Sequence, residues 1–474
     1  MGEIIQLDQI PVSTLKPGAY FEFNTKLARS SLPTNLQRVL IYGQRLATGM
    51  TPALTTVDVF NDKDAAVYFG AGSIAHRMVI NAIEANPNAQ IAVIAVDDAA
   101  ASQAAQGEVE ITAAATGRGI LKFFVGPESV DVAIETDMPA ADMAAATAAA
   151  INANVELPVT ATATAGKIKV EAKHKGEAGN QIKLAAVVRY STGATNTITA
   201  QLAGGLADPD LRPAYAAAFG SSYEIRVCPF ATQEALLAFR DHLEELGSPL
   251  EQRDAIGVAG FPGTLAAATT VASAVNSSII TLAWYNKSKR TTGEIAAGYA
   301  AVMAGEEHPA RPLNYLEIQG LDIIAQEDYP GRKEQENALH NGVTPLIVGP
   351  GNRVQIVRAI STYLVDAQNI PDDSSLDITV FRTLHYFRKA CRQAVALRFP
   401  RELLSEKTPP KVRTLLLQIS YQCEDLEILQ NIDQYKDRLV VQKHPQNKGM
   451  AVASIPAPIV HGMHVFAGRI DLYV

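Results

Sequence analysis

Five short apolar runs constrain this chain more than any other feature: "RVLIYG" (38–43), "IAVIAV" (91–96), "YEIRVCPF" (223–230), "AIGVAGF" (255–261) and "SIITLAWY" (278–285). Each reads as a buried strand, and helical patterns stand between them. The clearest helix is capped at Thr232, lined by Leu236, Phe239, Leu243 and Leu246, and stopped by Gly247 and Pro249. Strands alternating with helices imply a layered α/β domain with a parallel sheet. From about Gly107 to Gly205 the texture changes to short alternating segments such as "EVEITAAAT", "ILKFFV", "SVDVAIE" and "KIKVEAK", with an Ala-rich helix near 138–153. Such strands with glycine punctuation form a small β-rich module. Because α/β texture flanks it on both sides, the module reads as an insertion into one discontinuous α/β domain.

A length of 474 residues suggests about three domains. The composition, 47% hydrophobic and 19% charged, is that of a globular chain. No apolar run approaches the roughly 20 residues that span a bilayer. The opening "MGEIIQLDQI" lacks both the basic-then-apolar order of a secretory signal and the Ser or Thr of a myristoylation site. Cys228, Cys391 and Cys423 stand alone, giving neither a disulfide framework nor a zinc knuckle. A net charge of −8 argues against a general nucleic-acid binder.

A third unit is expected from about Val343. "PLIVGPGNRVQIVRAI" reads as a hairpin, with Val354 and Ile356 on one face. Long helices follow over about 377–398 and 411–423, then a second hairpin, "RLVVQKH" and "GMAVASI", around "PQNKG". "PAP" (456–458) makes a stiff exit into a terminal strand, "GRIDLYV", whose Ile470, Leu472 and Val474 share one face. In the irregular N-terminal stretch, "AYFEF" makes a short strand with Phe21 and Phe23 on one side. The expected division is an N-terminal arm (1–36), an α/β domain (37–106 and 206–342), the inserted module (107–205), an α+β C-terminal domain (343–458) and a C-terminal strand arm (459–474).

Signals for chemistry are weak. "GAGSIA" (Gly70, Gly72, Ala75), with Asp97 after the next apolar strand, has the form of a dinucleotide-binding turn. That mechanism needs a strand before Gly70, whereas "NDKDAAVYF" opens like a helix. The alternative is a helix–turn–helix whose small residues permit close packing. His461 and His464 form H-x-x-H, but strand-like neighbours point them to opposite faces, so exposed loop histidines are expected. Lys287, Lys289 and Arg290 in "YNKSKRTTG" read as a phosphate contact or a solvated loop, and Asp372 and Asp373 as turn and cap residues. No nucleophile elbow, zincin motif or phosphate-binding lysine loop occurs. Hence no catalytic, cofactor or metal residue is assigned.

One helix is more informative. In "DITVFRTLHYFRKACRQAVALR", Val380, Leu384, Phe387, Cys391, Ala394 and Val395 form a core stripe. Arg382, His385, Lys389 and Arg392 follow the same steps half a turn away. Residues 346–445 carry 14 Lys and Arg against 11 Asp and Glu in a chain of net −8. The basic stripe is therefore either a surface for an acidic partner or a solvated face.

The chain resembles contractile-tail sheath proteins of the Mu-like bacteriophage type. The resemblance runs through "KPGAYFEF", "RVLIYGQRLATG", "DAAVYFGAGSIAHRM", "LPVTATA", "KHKGEAGNQIKL", "GGLADPDL", "GVTPLIVGPGNRVQIVRAISTYL", "DITVFRTLHYFRKACRQAVALRFPRE" and the terminal "GRIDLYV", in order over nearly the full length. It implies a non-enzymatic structural subunit that polymerises as stacked six-membered rings around an inner tail tube and contracts to drive the tube through the host envelope. The implied partners are further copies of itself, the tube protein, and baseplate and tail terminator proteins, with no nucleic acid and no membrane insertion. Its implied place is the virion tail, after assembly in the host cytoplasm. The resemblance makes Tyr20, Phe21, Phe23, Ile470, Leu472 and Val474 strands donated to neighbouring subunits. The hairpin bearing Val354 and Ile356 becomes the receiver, and the Arg382–Arg392 stripe a tube- or neighbour-facing surface. Three alternatives stay open: a tailocin or other contractile injection system, a nucleotide-binding α/β enzyme using the Gly70–Ala75 loop, and a generic scaffold with an adhesive β-module at 107–205.

Overall fold

The structure, a computed structural model, describes residues 32–190 and 196–473. The chain forms two compact units, a larger one of 35–385 with 459–474 and a smaller one containing 386–458.

In the larger unit the chain begins β1 (Arg38–Gln44), β2 (Thr56–Val59), α1 (Asp62–Phe69), α2 (Ile74–Ala85) and β3 (Gln90–Val96). The module follows as β4 (Ala104–Ile111), β5 (Gly119–Val125), β6 (Glu128–Ile134), α3 (Ala140–Ala153), β7 (Val159–Thr164), β8 (Lys167–Lys175), β9 (Leu184–Arg189) and β10 (Asn196–Ile198). The α/β pattern then resumes through α4 (Arg212–Ala217), β11 (Ile225–Val227), α5 (Gln233–Leu246), β12 (Ile256–Phe261), α6 (Leu265–Val275), β13 (Ile280–Trp284), α7 (Thr292–Gly305) and α8 (Arg332–His340). It ends in a hairpin, β14 (Thr344–Gly349) and β15 (Arg353–Ile356).

Eight strands make one sheet in the order β15-β14-β13-β12-β11-β1-β3-β2, parallel from β14 to β3 with antiparallel strands at the two ends. β1 pairs with β3 on one side and with β11 on the other, so strands from before and after the module are neighbours. Alternation fills both faces: Val39 and Ile41 pack under α2 and α7, while Leu40 and Tyr42 pack under α4 and α5. A parallel sheet covered on both faces is why these strands read as continuous apolar runs. The module has its own core between a four-stranded sheet, β10-β4-β8-β7, and a three-stranded one, β6-β5-β9, with Met143, Ala144 and Ile151 of α3 joining it.

The smaller unit contains the C-terminal part of α9 (Ile378–Arg398), then α10 (Thr408–Asp425), α11 (Ile432–Tyr435) and a ribbon of β16 (Val440–Lys443) and β17 (Ala451–Ser454). The expected start of a third unit at 343 is corrected: the boundary falls within α9, after His385. β14 joins β13, and Thr344 Oγ1 lies 3.1 Å from Thr281 Oγ1, which ties the first hairpin into the large sheet. Pro458 ends the smaller unit, and residues 459–474 belong to the larger one. Residues 460–473 form no strand.

Candidate assembly interface

The ribbon β16–β17 is built from alternating sequence around a polar turn, with Val441 opposite Ala453 and Gln442 opposite Val452. The smaller unit's helices hold its base. Arg413 donates from Nε to the Leu439 carbonyl at 2.8 Å and from Nη2 to that of Lys436 at 2.9 Å, and Lys443 pairs with Glu406. Among the described residues neither outer edge meets a third strand. A two-stranded ribbon is marginal alone, and its open edges are templates for pairing.

The hairpin expected to receive strands is partly occupied within its own subunit. β14 lies between β13 and β15. The outer edge of β15 is taken by residues 315–318: Tyr315 N donates to the Ile356 carbonyl at 2.7 Å, Ile318 N to that of Val354 at 2.8 Å, and Ile356 N to that of Leu316 at 3.0 Å. Val354 and Ile356 point into the main core. β13 pairs with β14 only at Thr344 and Pro345, so residues 346–349 have β15 alone as a strand partner among the described residues.

Of the expected donor residues, Tyr20, Phe21, Phe23 and Val474 lie outside the described residues. Ile470 and Leu472 are 99% and 88% exposed, on a segment with no strand partner. They are two large aliphatic side chains left in water one residue apart.

The basic stripe does not form one surface. Arg382 is only 5% exposed and donates to the carbonyls of Met303 at 3.4 Å and Glu306 at 2.6 Å, at the end of α7. Burial lowers its pKa to about 10, with Glu306 acting in the opposite direction. It is a helix-terminus clamp. His385 lies 3.8 Å from Asp254 and is mostly covered, Lys389 is half-buried, and only Arg392 is exposed. The helical period correctly places Val380, Phe387 and Cys391 in the core, but it cannot show that a second element covers the opposite face near Arg382.

Around Gly70–Ala75 the strand required for dinucleotide binding is replaced by helix α1, capped by Asn61. Gly70 and Gly72 take positive φ, and Gly72 N donates to His76 Nδ1 at 3.0 Å, closing the turn into α2. A Cβ on Gly43 of β1 would lie 2.9 Å from Ala75, so the small residues serve close helix-on-strand packing.

In the "YNKSKRTTG" loop Lys287 and Lys289 are exposed, as a solvated loop requires, whereas Arg290 is mostly covered. Lys287 pairs with Asp328 at 2.6 Å, and Arg290 joins a buried cluster. There Arg77 of α2 meets Glu294 at 2.6 Å and Glu128 at 2.9 Å, while Arg290 meets Glu128 at 3.0 Å and Glu294 at 3.2 Å. Glu294 also completes a capping box with Thr291 at the start of α7. Burial pushes its carboxyl up, but the two guanidiniums and the Thr291 hydrogen bonds overcome this and hold it below the usual range. Because Glu128 opens β6, the cluster fastens the module to the α/β body.

The two histidines part company. His461 is exposed, as expected, whereas His464 is mostly buried, with Nε2 3.3 Å from Asp377 Oδ2 and Nδ1 3.0 Å from the Asn314 amide. Arg358 grips the same carboxylate at 2.9 and 2.8 Å. Burial pushes Asp377 up, but the nearby His464 and the two hydrogen bonds from Arg358 prevail and hold it at about 2. A depressed carboxyl contributes stability above its unfolded value near 4 and loses it as pH falls through its folded value. Asp377→Asn should therefore cost about 2 kcal/mol at pH 7. In urea melts, the gap from the parent should close between about pH 4 and pH 2.

Among the described residues no group of His, Cys, Asp or Glu is placed to hold a metal ion, and no helix is long and apolar enough to cross a membrane. The surfaces that stand out are edges and an unpaired segment.

Residues 204–362 match the family model of the phage tail sheath protein central domain, and residues 371–473 that of the phage tail sheath C-terminal domain. The chain is 29% identical over 460 residues to the Mu-like prophage FluMu tail sheath protein of Haemophilus influenzae, covering 94% of each. In fold it is similar to a sheath tail protein from Listeria innocua (12% identity, 92% of this chain and 94% of that one, TM-score 0.52). It is also similar to a chain of the anti-feeding prophage baseplate (11% identity, 97% and 100%, TM-score 0.52). The chain belongs to the phage tail sheath family, structural proteins of contractile tails.

Proposed function

We propose that this subunit polymerises as stacked six-fold rings around an inner tail tube, and that the assembled sheath contracts to drive the tube through a host envelope. The carrying observation is the pairing of two features in one chain: a ribbon, β16–β17, whose edges meet no third strand among the described residues, and a terminal segment with Ile470 and Leu472 in water. The terminal segment of one copy adds to the ribbon of the next. The ribbon stands beside the Val354–Ile356 hairpin as a receiver. The partners are further copies, the tube protein, and baseplate and terminator proteins.

The energetics favour a lattice over a dimer. A strand of five or six residues gains about four backbone hydrogen bonds at about 1 kcal/mol each. Burying Ile470 and Leu472 adds about 1.5–3 kcal/mol each. Ordering the segment costs about 1–2 kcal/mol per residue, so one link is close to neutral. A closed lattice raises the effective concentration of every remaining contact. Contraction then needs two lattice packings separated by a barrier.

Negative-stain microscopy of the purified protein at rising concentration tests this reading. Tubes of uniform diameter are expected, and single subunits at every concentration would refute it. Calorimetry with NAD, NADP and ATP should give no binding heat, and saturable binding would revive the enzyme alternative.

A further inference from the structure

The terminal segment is not loose along its whole length. After the smaller unit ends at Pro458 the chain returns to the larger one, and there a single side chain fixes it. His464 sits between Asp377 and Asn314, and Asp377 is itself held by both arms of the Arg358 guanidinium. Gly462 lies so close to Pro312 that a Cβ there would run into the ring. Immediately beyond, Val465 and Phe466 are exposed, as are Ile470 and Leu472. The boundary between held and free chain therefore falls at one residue.

We propose that His464 is the pivot of the C-terminal arm, a positioning residue that pins the arm's root to the α/β body and so sets its reach. The free length is residues 465–474. At about 3.3 Å per extended residue, ten residues reach about 33 Å. Without the pivot the root recedes to Ile459, and fifteen residues reach about 50 Å. Effective concentration at a fixed target falls roughly as the −3/2 power of length, so the longer arm finds its partner at about half the local concentration. A defined reach selects which neighbour receives the strand. This consequence rests on the sheath reading, whereas the pivot itself does not.

The three natural cysteines are buried, so a nitroxide can be placed selectively on Met463→Cys or Ile470→Cys in the full-length soluble subunit. With His464 intact, the label at 463 should be restrained and the label at 470 should move on the nanosecond scale of exposed side chains. His464→Ala, and separately Asn314→Ala, should shorten the correlation time at 463 severalfold and leave 470 unchanged, with the circular dichroism spectrum preserved. A label at 463 as mobile as the one at 470 in the parent, or unmoved by His464→Ala, overturns the proposal. If tubes fail to form while 463 stays restrained, the sheath reading falls and the pivot stands.

Discussion

Deletion of residues 466–474 should leave a folded subunit that no longer forms tubes. Ile470 and Leu472 touch nothing that the subunit's own fold requires, so their loss removes no core contact. Far-UV circular dichroism and the urea midpoint should match the parent within about 0.5 kcal/mol, the usual range for surface changes. Assembly is different, because each link is close to neutral and the lattice multiplies whatever each contributes. The loss recurs at every contact, so even a small change per link compounds through a closed lattice. Electron microscopy then shows dispersed subunits at concentrations where the parent gives tubes. Normal tubes from the truncated chain would show that the receiving ribbon does not depend on this segment.

The largest effect within one subunit should come from Glu294. Its carboxylate is almost fully buried and meets Arg77, Arg290 and the start of α7 together. Removing one partner of a buried ion pair costs about 3–5 kcal/mol, because the remaining charges keep their desolvation penalty. Glu294→Ala should lower the stability of the larger unit by that amount in urea. Arg77→Met with Glu294→Ala should cost less than the sum of the single changes, the coupling expected of groups that share a contact. Glu128→Ala should act more gently, since water reaches that carboxylate, and should loosen the module before the sheet. A loss below 1 kcal/mol for Glu294→Ala would mean that water already screens the cluster.

Much of the α/β body was legible because its information is local. Apolar runs of five to seven residues marked buried strands, Thr232 and Gly247 bounded a helix, and α/β texture on both sides of the module gave the discontinuous domain. The helix–turn–helix at Gly70–Ala75 was also readable, since Asn61, Asp62 and Asp64 announce α1. The capping box Thr291–Glu294 is visible as T-x-x-E, and it was the one available hint that Glu294 does more than cap. The ion cluster was not readable, because Arg77, Glu128 and Glu294 come from three distant stretches with no common spacing.

Period and texture in the sequence alone determined the parallel sheet, the inserted β module, the long C-terminal helices and the exposed alternation of the terminal segment. Which edges are open was decided only by the tertiary structure. β14–β15 and β16–β17 carry the same hairpin pattern, yet residues 315–318 close the edge of β15 while, among the described residues, both edges of the ribbon stay unpaired. Likewise Arg382 and Arg392 occupy equivalent positions on one helix, and only packing buries the first and leaves the second in water. The reason is physical: alternation fixes where a side chain points relative to its own backbone, whereas pairing and burial depend on which distant segment arrives beside it.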